Sequence, residues 1–97
     1  LPRARAVMAD IEAAGGQAVF FNTNAADARK RARVIKKIQE TLPEGTYLHI
    51  LMHSLAFGTL LPLIDDDPEK CISRAQMEMT SDVMAHSLVY WTQDLWR

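Results

Sequence analysis

The chain has 97 residues, with 11 Lys and Arg against 12 Asp and Glu, for a formal net charge of -1. Its hydrophobic fraction of 48% is globular, so disorder is excluded, and the length provides for one small domain. Balanced charge argues against a dedicated nucleic-acid or membrane-surface binder, and the single Cys71 excludes an internal disulfide framework and fits a reducing, cytoplasmic setting.

Residues 3–14 are predicted to be helical, because Ala4, Val7, Met8 and Ile11 recur at helical spacing with Arg3, Arg5, Asp10 and Glu12 opposite. Gly15 and Gly16 stop that helix. The short apolar run Gln17–Phe21 is expected to be a strand, broken by Asn22, Thr23 and Asn24. A second helix is predicted over residues 25–41, with Val34, Ile35, Ile38 and Leu42 as its apolar stripe. Pro43, Glu44 and Gly45 end it. Tyr47–Met52 is nearly continuous apolar sequence, the pattern of a strand buried on both faces. A loop with Gly58, Pro62 and Pro68 follows, and Ser73–Trp96 is expected to form one long helix.

Helix, strand, helix, strand, long helix predicts an α/β fold with a parallel sheet. Two strands are too few to complete such a sheet. The chain also does not open on Met, so residues 1–97 are expected to be a segment of a larger domain. No signal peptide is expected from its opening residues. The stretch from Leu48 to Ile64 is interrupted by His49, His53, Ser54, Gly58 and Pro62 and is not expected to span a membrane.

Three sites share a pattern. They are Ala13–Phe21 with its Gly-Gly turn, Asn24–Asp27 directly after it, and His49–Gly58 after the second helix. Together they resemble the middle of the short-chain dehydrogenase/reductase family, which implies that residues 1–97 are part of a doubly wound, parallel-sheet, Rossmann-like dinucleotide-binding domain. His53-Ser54-Leu55-Ala56-Phe57 stands where most members carry Asn-Asn-Ala-Gly, and it resembles the divergent branch of enoyl-acyl-carrier-protein reductases. Asp82–Leu88 is similar to the corresponding helix of that branch.

The resemblance implies a nicotinamide-dependent oxidoreductase of fatty acid biosynthesis, with NADH or NADPH as cofactor and a 2-enoyl thioester as substrate, linked to carrier protein or to coenzyme A. It places Asn24 and Ala25 against the adenine, and Ser54, Leu55 and Ala56 along the ribose and phosphates. Phe57 and Gly58 would edge the nicotinamide and acyl pocket. It also implies a homo-oligomer joined through the 73–96 helix. The Gly-rich phosphate turn and the Tyr and Lys of the family are not found within residues 1–97. Neither Tyr47 nor Tyr90 has Lys four residues later, so no catalytic residue is assigned here. Two alternatives remain open: a ketone or alcohol dehydrogenase of the same family, and a non-catalytic paralogue acting as a binding or assembly subunit.

Other conspicuous residues have plainer readings. His49 is expected to be a satisfied core or edge residue, His86 to be structural, and His53 to divide between a supporting role and lining the cofactor site. No metal-ligand spacing is seen. Asp65, Asp66 and Asp67 are expected in a solvated loop, and Cys71 as a bystander. The basic run Arg29–Lys37 is expected to be a solvated face, with docking of an acidic carrier protein as its sharper alternative. Arg3 and Arg5 would suit a ribose 2′-phosphate.

Overall fold

A computed structural model describes residues 1–97. It contains helix α1, Pro2–Ala13, and helix α2, Ala28–Thr41. A short 3-10 turn, Pro68–Lys70, precedes helix α3, Arg74–Ser81. Helix α3 runs on through a π-helical turn, Asp82–His86, into helix α4, Ser87–Trp96.

The expected α/β class is overturned: the molecule is all-helical and contains no strand. Neither Gln17–Phe21 nor Tyr47–Met52 is paired. No backbone N–H or C=O from Gln17 to Thr23, or from Tyr47 to Leu61, joins a backbone–backbone hydrogen bond. A strand exists only through a neighbour's ladder, and these two segments do not supply one to each other. The run expected to be buried on both faces is exposed, with Tyr47 at 79% and Met52 at 83%.

The helices have local causes. Helix α2 starts where the Asp27 side chain accepts the Lys30 N–H at 2.9 Å. Its buried side, Val34 and Ile35, forms the apolar core. The chain leaves it through Pro43 and a turn at Gly45, whose φ of +80° suits glycine. Helix α3 opens on a capping box, in which Ser73 and Gln76 satisfy each other's backbone N–H groups.

Helices α2 and α4 pack together, and three hydrogen bonds and one cation–π contact hold α4 to the rest of the chain. Arg31 Nε donates to Asp94 Oδ2 at 2.7 Å. The Arg31 guanidinium also lies over the Tyr90 ring, 5.3 Å from its centroid. Trp91 Nε1 donates to the Ala25 carbonyl at 2.9 Å, and Ser87 pairs with His53. Helix α1 buries no residue.

The accessible surface is 8403 Å². A compact 10.9 kDa protein exposes about 5,600 Å² by the usual size scaling. The radius of gyration is 17.6 Å, against about 12.5 Å for a compact domain of this length. The core is therefore small, and it sits between α2, α4 and the turn before α2. No helix is long and apolar enough to cross a membrane.

Candidate functional site

A cleft of about 440 Å³ opens where three parts of the chain meet. One wall is Thr23–Ala26, the turn before α2. The facing wall is Ser54–Phe57, and Met79 and Val83 of the long helix form the floor. Its size is within the range of small-ligand sites, about 300–1,000 Å³.

The turn wall is built by an Asx turn. Asn24 Oδ1 accepts the Ala26 N–H at 3.0 Å, and the Asn24 carbonyl accepts the Asp27 N–H at 3.2 Å. With its oxygen engaged, the Asn24 side chain has its amide N–H groups left to donate. Ala25 is fixed from behind by the Trp91 hydrogen bond to its carbonyl.

The loop wall is tied to the long helix at both ends. His53 Nε2 lies 2.7 Å from Ser87 Oγ, and Ser87 is fully buried. The Ser87 hydroxyl donates its only proton to the Val83 carbonyl at 2.6 Å. Ser87 Oγ must therefore accept from His53, which fixes the neutral imidazole as the Nε2–H tautomer. At the other end, Thr59 N–H donates to Thr80 Oγ1 at 3.1 Å. A Cβ on Gly58 would fall on the Thr80 methyl and within 2.9 Å of its hydroxyl, so only glycine admits this approach.

Asn24, Ala25, Ser54, Leu55, Ala56 and Phe57 thus come together in one cleft. Gly58 does not line it and instead packs on Thr80. Thr23, Met79 and Val83 were not singled out by the sequence. Met79 and Val83 stand four residues apart on one helix face, a spacing that marks a shared face but not what it looks onto.

His53 serves the supporting contact. His49 differs from the expected core or edge residue: it is exposed beside Tyr47, the ring centroids 6.4 Å apart. His86 Nδ1 lies 3.6 Å from Asp82. Asp67 caps the 3-10 turn, and Asp65 accepts the Asp67 N–H. No three His, Cys, Asp or Glu side chains gather to hold a metal ion. The hydrogen bond to Asp82 is the main reason that the Tyr90 hydroxyl titrates above its ordinary value, the reverse of what a proton-donating Tyr needs.

The basic run is solvated as expected at Arg29, Lys30, Arg33, Lys36 and Lys37, and departs from it at Arg31. Arg31 is buried against Asp94, while Lys30, Arg33 and Lys37 edge a second cavity with Phe20 and Phe21. Arg3 and Arg5 are exposed on α1. No known family profile, curated protein or solved structure matches the chain.

Proposed function

We propose that the cleft between Asn24–Ala26 and Ser54–Phe57 holds part of a nicotinamide dinucleotide, and that these residues belong to a reductase acting on 2-enoyl thioesters. The observation that carries this reading is the meeting, in one cleft, of two segments thirty residues apart that the family resemblance assigns to the same cofactor. The cleft's chemistry agrees with it. Asn24 offers amide donors to the acceptor nitrogens of adenine, and Ala25, Ser54 and Ala56 are small enough to let backbone approach a ribose and phosphates. Bound NADH or NADPH would supply a hydride to the β-carbon of the enoyl thioester, with a proton then added at the α-carbon.

Residues 1–97 contribute cleft walls and no acid–base pair. The family's Gly-rich turn and its Tyr and Lys belong to other segments of the protein in this reading. The continuous helix Arg74–Trp96 exposes Met77, Met84, Leu88, Val89 and Trp96, which supports a homo-oligomer joined along this helix.

The test uses the protein that carries these residues. Fluorescence titration with NADH and with NADPH should saturate, and crotonyl thioester should drive cofactor oxidation. Ala56→Tyr fills the cleft at an exposed position and should weaken cofactor binding at least tenfold at unchanged thermal stability. Undiminished affinity in Ala56→Tyr would remove the cleft from the cofactor site.

A further inference from the structure

The cleft's loop wall is longer than the gap it spans. His53 and Thr59 are anchored to Ser87 and Thr80. Those two helix positions are seven residues apart, about 10 Å at 1.5 Å per residue. The six steps of chain from His53 to Thr59 can reach about 20 Å. Pinned at both ends, the loop must bow away from the helix, and Ser54–Phe57, the residues of the bow, are the cleft wall. The anchors run antiparallel to the helix, so together they fix where the bow begins and ends. Gly58 permits the close approach at one end, and the buried Ser87 hydroxyl, accepting from His53 while donating to Val83, fixes the other.

We propose that His53 and Ser87, together with Thr80 and Gly58, form a positioning clamp that sets the width of the dinucleotide cleft. The inference rests on the cofactor reading for its ligand and stands on its own geometry for the clamp. His53 is a positioning residue: it acts through residues 54–57 and has no place in the chemistry.

The expected signature has three parts. Long-range proton–nitrogen spectra of the imidazole show the Nε2–H tautomer for His53 in the parent protein and lose that bias in Ser87→Ala. Amide exchange at Leu55, Ala56 and Phe57 quickens in His53→Ala and in Ser87→Ala. Both variants weaken NADH or NADPH binding by about five- to tenfold, the fold-change of one lost hydrogen bond, and the double variant loses no more than either single one. His53→Gln, whose amide nitrogen reaches the place of Nε2, restores slow exchange and affinity.

Unchanged exchange at residues 55–57 in both single variants overturns the proposal, as does a double variant whose losses add. So does His53→Gln that is no better than His53→Ala. If the parent protein binds neither nucleotide, the cofactor reading fails by itself, and the tautomer and exchange data still decide the clamp.

Discussion

The Arg31–Asp94 pair allows a quantitative test of the α2–α4 contact. The Arg31 side chain is only 11% exposed and that of Asp94 is 36% exposed. Arg31 Nε gives Asp94 one hydrogen bond of 2.7 Å, while its Nη1 is buried without a partner. A charge-assisted hydrogen bond contributes about 1.5–3 kcal/mol, and breaking a fully buried pair costs about 3–5 kcal/mol. Water reaches Asp94, so the lower part of that range applies, and Asp94→Ala should cost about 2 kcal/mol. Arg31→Met should be milder, about 1 kcal/mol or less, because it removes the stranded Nη1 along with the charge, and the freed Asp94 can hydrate. The double variant should be more stable than Asp94→Ala alone. Urea unfolding of the protein that carries these residues, followed by tryptophan fluorescence, measures all three. Arg31→Met costing as much as Asp94→Ala would refute the argument that an orphaned buried guanidinium sets the penalty.

Asp27 titrates below the ordinary carboxylate value, chiefly because its carboxylate accepts the Lys30 N–H at the start of α2. A depressed folded-state pKa means that its contribution is present above the unfolded value and is lost as pH falls through the folded one. Helicity of α2 should therefore fade in acid below about pH 4, and Asp27→Asn should flatten that dependence while retaining the cap. Tyr90 has the opposite sign: its raised pKa favours the neutral form, so its contribution holds below its ordinary value and is lost as pH rises through the folded one. Ultraviolet titration should show Tyr90 ionising later than in an Asp82→Asn variant; equal midpoints would remove Asp82 as the cause. Trp91→Phe deletes the donor to Ala25 and should cost about 1 kcal/mol, with the amide signals of Ala25 and Ala26 shifting.

The helices were legible because their causes are local. The 3.6-residue stripe of Val34, Ile35 and Ile38, the Ser73 cap and the Gly15 stop all act within a few residues. The strands were not, because Gln17–Phe21 and Tyr47–Met52 carry apolar sequence that fits a ladder, while the ladder itself depends on a partner that sequence alone does not place. The segments that line the cleft, Asn24–Ala26 and Ser54–Phe57, stand out in the sequence as breaks after apolar runs. The cleft floor does not: whether Met79 and Val83 meet Ser54–Phe57 depends on how the long helix is turned. The clamp escaped for a related reason. Ser87 is one of several polar residues in α4, and nothing in its neighbours shows that a histidine 34 positions earlier reaches it.

The π-helical turn at Asp82–His86 acts as a phase setter. A π turn holds one residue more than the α-helix it interrupts. Everything that grips the rest of the chain from α4 lies beyond it: Ser87 on His53, Trp91 on Ala25, and Asp94 on Arg31. Those three are spaced by four and three residues and share one face. Met79, Thr80 and Val83, which meet the cleft and its loop, lie before the turn or within it. Deleting one residue within the turn would restore regular α-helix and rotate α4 by about 100°. All three grips would then come away together while the cleft floor stayed in place. The extra residue is thus a vernier between two faces of one helix, and its removal would free both cleft walls from α4 while leaving the floor residues Met79 and Val83 where they are.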